Sequence, residues 1–150
     1  MRHMQDVKFL NVTPPAAIID NASAPTASID SKGYDYLTVV VQLGALDVAM
    51  TALKLQTSDA DSGYADLAGA VYGTSTNIAG STSALPVATD DNKFFVFEVD
   101  LRGKKRFFDL VATCGDGSAG TFISVFAILS VAENQLTTAA ARGAADILRV

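Results

Sequence analysis

Two acidic clusters are the residues whose types and spacing come closest to a chemical site. They are Asp59, Asp61 and Asp66, and then Asp90, Asp91 and Asn92. Oxygen ligands on turns suit Ca²⁺, and a pair of carboxylates can hydrolyse a glycosidic bond. However, neither cluster matches the twelve-residue calcium loop, aspartate is common in turns that bind no metal, and the chain has no tryptophan for a sugar to stack on. We therefore predict no metal site and no catalytic carboxylate pair.

The other reactive side chains do not form a catalytic set. The single histidine, His3, lies near the N-terminus and has no spaced partner for zinc binding or for activating a nucleophile. The single cysteine, Cys114, ends an apolar strand, where we expect its thiol to pack as a small hydrophobic group. Residues 115–120 are glycine-rich like a phosphate loop, but they lie between two strands, so a hairpin turn is predicted. We expect neither enzyme activity nor a cofactor.

The only concentrated positive charge lies in residues 102–106, directly before two phenylalanines. Its members are Arg102, Lys104, Lys105 and Arg106. A charged turn of this kind discourages unwanted pairing at a sheet edge, which is the favoured interpretation. The same charges could instead contact an acidic neighbouring protein. The whole chain is acidic, with 11 Lys plus Arg against 16 Asp plus Glu and a formal net charge of −5, so we expect no general nucleic-acid binding.

Composition indicates one domain whose surface is partly covered by other subunits. The 150 residues are enough to bury a core, and 49% of them are hydrophobic while only 18% are charged. No apolar run is long enough to span a membrane, and the residues after Met1 lack the apolar region of a secretory signal. A single cysteine allows no internal disulfide, which suits folding in a reducing cytoplasm.

Strand patterns fill most of the chain. Between Lys93 and Ala132, three runs rich in Phe, Val, Ile and Thr predict three long strands, joined as a meander by tight turns at 102–104 and 115–118. Further strands are expected at 34–44 and 50–57, with short ones before residue 34 and at 64–67. Turn signals recur about every ten residues, without alternating helices. This pattern predicts an all-β fold, an antiparallel β-sandwich of jelly-roll type with extended N- and C-terminal arms.

The same pattern divides the chain into three segments. Residues 1–31 are predicted to form an N-terminal arm with short strands, residues 32–132 the sandwich core, and residues 133–150 a C-terminal arm or short helix. Within the core, residues 73–92 are rich in Ser, Thr and Gly and predict a long loop. Loops of that length are usually functional, disordered or contain an unrecognised strand.

Several of the predicted strands are apolar on both faces. A two-layer sandwich buries only one face of each sheet, so the second apolar face needs a partner. Leu37, Val39, Val41 and Leu43 are expected to point inwards. The candidate subunit interface comprises the apolar residues of the opposite faces together with those near the C-terminus: Tyr34, Tyr36, Val40, Phe94, Val96, Phe122, Phe126, Ile147, Leu148 and Val150.

The order of several segments points to a family. They include Tyr36-Leu-Thr-Val-Val-Val-Gln-Leu-Gly-Ala45, Ala52-Leu-Lys-Leu-Gln-Thr-Ser-Asp59, Arg106-Phe-Phe-Asp-Leu-Val-Ala-Thr113 and Thr138-Ala-Ala-Ala-Arg-Gly143, together with residues 85–91, 99–102 and 127–130. This succession resembles small virion proteins of tailed bacteriophages, the head decoration or capsid-stabilising proteins, from about Lys32 to the end of the chain. No segment is a catalytic signature, and no site residues carry over.

The resemblance implies a sandwich or jelly-roll subunit that forms a homotrimer on the outer capsid surface and bridges capsomers. Its implied partners are further copies of itself and the major capsid protein, and its implied location is the virion, after assembly in the host cytoplasm. Two alternatives remain open. The 73–92 loop and the acidic turns suit a carbohydrate- or receptor-binding module, and a tail or neck component of a virion is a further structural role.

Overall fold

Eight β-strands make up almost all regular structure in the computed structural model, which describes residues 4–134 and 136–148. His3 and Val150 lie outside these ranges. A short 3₁₀ helix, Ala140–Arg142, follows the last strand. The strands are β1 (Lys8–Thr13), β2 (Ile29–Asp30), β3 (Tyr34–Leu46), β4 (Ala52–Ser58), β5 (Ala65–Val71), β6 (Phe94–Asp100), β7 (Phe107–Thr113) and β8 (Thr121–Ala132).

The strands form two four-stranded antiparallel sheets. The front sheet has the order β1-β8-β3-β6, and the back sheet has the order β2-β7-β4-β5. Every connection except the one between β4 and β5 carries the chain from one sheet to the other. Eight strands in two sheets with this interleaved order form a jelly roll. The predicted all-β, antiparallel sandwich of jelly-roll type is therefore confirmed.

The three strands between Lys93 and Ala132 do not form the predicted meander. β6 and β8 both lie in the front sheet with β3 between them, whereas β7 lies in the back sheet. Residues 101–106 and 114–120 are thus crossovers between sheets, and the prediction of tight hairpin turns there is wrong. A short break between two strand-like runs looks the same in the sequence for a hairpin turn and for a crossover between sheets, because strand propensity does not specify which strands pair.

The core lies between the sheets and is filled by alternate residues of the strands. The predicted inward positions of β3 are fully buried, which confirms that facing. Cys114 is buried with them, as predicted, and burial raises the pKa of its thiol. The other buried strand residues include Leu53, Leu55, Phe97, Val99, Phe108, Leu110, Ile123, Val125, Ala127 and Leu129.

The segments before and after the predicted core pack against the sandwich. β1 pairs with β8 and β2 pairs with β7, so part of the 1–31 segment belongs to the two sheets. Arg142 is buried, and its guanidinium donates to the carbonyl oxygens of Val7, at 3.3 Å, and of Met4. A Cβ on Gly143 would lie 1.9 Å from the carbonyl oxygen of Phe9, so only glycine allows this approach. The short C-terminal helix is therefore held against β1.

Two phenylalanines of β6 provide a test of the facing. Phe97 is 6% exposed, so Phe97→Ala is expected to lower the free energy of unfolding by about 3–5 kcal/mol through lost burial and a residual cavity. Phe94 is 60% exposed, so Phe94→Ala is expected to cost about 0.5 kcal/mol or less. Urea denaturation of both variants measures the difference. A loss below about 0.5 kcal/mol for Phe97→Ala would show that the facing is wrong.

Candidate interaction surface

The outer face of the front sheet carries a row of exposed apolar side chains. Val40 on β3 pairs with Val96 on β6 and with Phe126 on β8, so the three side chains lie side by side. Phe94 on β6 pairs with Gln42 on β3, two residues along each strand from the pair of Val96 and Val40. We call this surface the aromatic face and define it as Tyr36, Val40, Phe94, Val96, Phe122 and Phe126. Its five most exposed members range from 37% for Phe126 to 60% for Phe94.

Local sequence explains why these residues share one face. Side chains alternate along a strand, so the positions next to the buried residues of β3, β6 and β8 must point outwards. At one end of the face, a Cβ on Gly44 would lie 2.8 Å from the Cβ of Phe122, so glycine at this position gives Phe122 its room. At the other end, Arg102 lies 5.7 Å from the ring centre of Tyr36 and covers part of that ring.

The structure brings six of the predicted interface residues together in the aromatic face and places Ile147 and Leu148 near the opposite edge of the sheet. Tyr34 is half-buried at the end of β3, where it pairs with Ala132. Ile147 is half-buried and Leu148 is 89% exposed, and both follow the 3₁₀ helix that contacts β1, the front-sheet edge opposite β6. Val150 lies outside the described residues. The assignment of all these residues to an interface stays a prediction.

Sequence reasoning missed a groove beside the aromatic face. β5 and β6 are edge strands of the two sheets, and a groove of about 510 Å³ between them is lined by both strands and by residues 72, 75–78 and 83. Phe94 and Val96 line the groove as well as the aromatic face, so the two surfaces are continuous. Predicting the groove would have required knowing which strands are edges, and strand propensity does not give that order.

The predicted 73–92 loop contains a small ordered hairpin. Thr76 and Thr82 form a bridge, and the side-chain oxygen of Asn77 accepts hydrogen bonds from the backbone N–H groups of Ala79, at 3.0 Å, and Ser81, at 3.1 Å. These bonds hold Ile78 fully exposed at the tip of the hairpin. The Asn77 and Gly80 turn residues are the signal that could have revealed this hairpin in the sequence.

Three of the four charges in the basic run are engaged within the chain. Arg102 donates from Nε to Asp100 at 2.9 Å, and this guanidinium lowers the pKa of Asp100 to about 2. Arg106 binds Asp30 through both carboxylate oxygens, at 2.8 and 2.6 Å. The remaining ion pair joins Lys105 to Asp59 at 3.6 Å. Lys104 makes no ion pair with a described residue, and a partner contact by this run stays a prediction.

The acidic clusters bind groups of the protein itself. Asp66 accepts from Lys54 at 2.8 Å and Gln56 at 2.7 Å, whereas Asp61 accepts from Tyr64 at 2.5 Å. Burial and this contact raise the pKa of Tyr64 to about 12, with burial the larger cause. In the second cluster, Asp90 and Asp91 accept hydrogen bonds from Lys93 and from backbone N–H groups. Within residues 4–134 and 136–148, no group of three or more His, Cys, Asp or Glu could hold a metal.

The glycine-rich crossover before β8 does bind an anion, and that anion is the carboxylate of Asp47. Oδ2 of Asp47 accepts hydrogen bonds from the backbone N–H groups of Ser118 and Ala119, both at 2.7 Å, and of Gly120, at 3.1 Å. These bonds favour the ionised carboxylate and lower its pKa. A Cβ on Gly117 would lie 2.1 Å from the same oxygen, which explains the glycine. The crossover therefore depends on an internal ligand.

Replacing Asp47 by asparagine tests this arrangement through pH. The lowered pKa means that ionised Asp47 stabilises the fold above the unfolded value of about 3.9, and that this contribution disappears as pH falls through the folded pKa. Asp47→Asn is expected to lower the urea midpoint at pH 7, and the difference from wild type is expected to shrink at pH 3. Asp116→Asn, on the same crossover, should change neither midpoint. A pH-independent deficit for Asp47→Asn would contradict the assignment.

Comparisons with known proteins include a distant structural similarity. No family model matches the chain, and no curated protein sequence matches it. No helix in the described part of the chain is long and apolar enough to cross a membrane. Among solved structures, the crystal structure of the SPBc2 prophage-derived protein YomS is similar, with a TM-score of 0.49 and 16% sequence identity over 84% of this chain and 94% of that one.

Proposed function

We propose that the chain is a structural virion protein of tailed bacteriophages, a capsid decoration subunit that binds the outer head surface as a homotrimer and bridges capsomers. The observation that carries the proposal is the aromatic face. A sheet surface on which four aromatic rings lie beside two valines is typical of a surface that is covered in an assembly. The segment resemblance supplies the virion setting.

The distribution of polar groups supports a scaffold rather than a reactive site. The carboxylates of the two acidic clusters and most of the basic run are bound to other groups of the chain. The outer face of the front sheet instead exposes apolar side chains, and their burial stabilises an assembly by about 25 cal/mol per Å². The further copies of the chain and the major capsid protein are the proposed partners, on the capsid surface of a virion assembled in the host cytoplasm.

The size of the aromatic face indicates how it is used. β6 has seven residues, so at about 3.3 Å per residue and about 4.8 Å between strands the three-stranded face measures roughly 23 by 14 Å. Its flat area is therefore less than half of the about 800 Å² that each partner contributes to a stable complex. Side-chain relief increases the area, but we expect a stable trimer to use surface beyond this face.

Charged substitutions on the aromatic face test the subunit contact. The double variant Phe94→Asp, Phe126→Asp is expected to convert the trimer to monomers, because two carboxylates cannot be buried there without partners. Its secondary structure by circular dichroism should not change, since both side chains point away from the core. Sedimentation velocity measures the assembly, and Val87→Asp, an exposed apolar residue outside the face, is the matched control. Trimers that persist in the double variant would contradict the role of this face.

The place on the virion requires a separate measurement. Antibodies raised against the purified chain should label the heads of particles that carry it, and cryo-electron microscopy of those particles should show three copies around a site between capsomers. Label confined to the tail or neck would contradict the decoration role and favour the alternative structural one.

A further inference from the structure

The outer edge of β6 has unpaired backbone groups. On one side β6 pairs with β3, and on the other it borders the groove. The hydroxyl of Tyr72 donates to the carbonyl oxygen of Val96 at 2.9 Å and accepts from its N–H at 3.1 Å, so the backbone of Val96 points away from β3. Because this direction alternates along a strand, Phe94 and Glu98 also present their N–H and C=O groups to the groove. No described residue bonds to them.

Tyr72 occupies the position of a neighbouring strand at one residue only. Its hydroxyl both donates to and accepts from Val96, as the backbone of an opposite residue would in an antiparallel ladder. The ring packs edge-on against Phe95 and Phe97, with ring centres 5.4 and 5.0 Å away. The edge therefore has one satisfied position flanked by two open ones. Such an edge can accept an added strand if the hydroxyl moves aside.

A segment able to occupy this edge lies at the opposite side of the same sheet. The 3₁₀ helix is held on β1, and the chain then continues without regular structure through Ala144–Leu148, with Leu148 exposed to solvent. The sequence ends with Arg149 and Val150, which lie outside the described residues. Since β1 and β6 are opposite edges of the front sheet, the C-terminal segment of one copy and the β6 edge of another can meet head to tail. Contacts of that type form a ring when the rotation between neighbouring copies closes.

The chemistry of the segment matches both sides of the edge. In an extended conformation, Leu148 and Val150 would point to one side, and Ile147 and Arg149 to the other. The groove lining includes apolar side chains such as Val71 and Phe97, polar side chains of the 75–83 hairpin, and Val96 and Glu98 of β6. Glu98 makes no ion pair with a described residue. One side of the segment can therefore pack on the apolar lining residues while Arg149, on the other side, meets Glu98.

We propose that residues 144–150 of one subunit add as a fifth strand to the outer edge of β6 in the next subunit of the trimer. The inference rests on the proposed homotrimer and supplies the contact area that the aromatic face alone lacks. The docked strand satisfies the backbone groups of Phe94 and Glu98 and takes over Val96 from Tyr72. Arg149 pairs with Glu98, and Leu148 enters the groove beside Phe97.

Charge exchange in the full-length chain tests the proposal. Glu98→Arg and Arg149→Glu should each weaken trimer assembly by about tenfold or more in sedimentation equilibrium, because each places like charges together. The double variant should restore assembly to near the wild-type value. Leu148→Asp, at a residue exposed in the subunit, should weaken assembly without changing the circular dichroism spectrum. Asp116→Arg, an equal change of charge far from β6 in sequence, should leave assembly unchanged.

The outcomes separate this inference from the proposed function. A wild-type trimer that is weakened by both single changes and restored by the double supports the docked segment. A wild-type trimer that none of these substitutions affects overturns the docked segment and leaves the decoration role intact. Two weak single variants without restoration in the double also overturn the proposed pairing. A wild-type chain that stays monomeric overturns both the homotrimer and the exchanged segment.

Discussion

Side chains alternate along a strand, and a sandwich can bury only one face of each sheet. Together these two constraints determine most of the surface that this molecule presents to its surroundings. β3, β6 and β8 alternate a buried apolar set with a second apolar set, and the buried set is enclosed by the back sheet. The remaining set has no layer to cover it. An aromatic outer face is therefore a direct consequence of the sequence once the front sheet forms. A shift of one residue in register would exchange the two sets and place the outer aromatic rings in the core.

Two polar contacts hold the chain where the sheets alone cannot. In the crossover before β8, the N–H groups of Ser118, Ala119 and Gly120 have no ladder partner in the front or back sheet and donate to the carboxylate of Asp47. The described part of the C-terminal segment contains no strand, and Arg142 binds it to the backbone carbonyls of Met4 and Val7, just before β1. Each contact fixes a connection at one end of β8. The order of the front sheet is thus stabilised by strand pairing and also by the connections that lead into and out of β8.

Strand positions and facing could be predicted from the sequence, whereas strand order could not. Strand composition gives the location of the runs around Val39, Phe97 and Val125. One set of alternate positions in each run is wholly apolar while the other includes polar residues, and this difference gives the inward side. Pairing depends on contacts between residues far apart in the chain, and a break such as residues 102–104 has no feature that separates a hairpin from a crossover. The aromatic face was therefore predictable residue by residue, but the groove was not, because it exists only where β5 and β6 are both edges.

Jelly rolls leave sheet edges open, and the two edges of the front sheet differ in how they are covered. β1 is covered by its own chain: Val12 accepts from Ala27 at 2.9 Å, and Gly143 lies against Phe9. β6 is covered only at Val96, by a side-chain hydroxyl that can rotate away. An edge protected at a single residue tends to accept a strand, and natural proteins avoid such edges unless a partner occupies them. A head-to-tail ring requires this asymmetry between the two edges. In such a ring, the C-terminal segment held on β1 of one subunit would pair with the open β6 edge of the next.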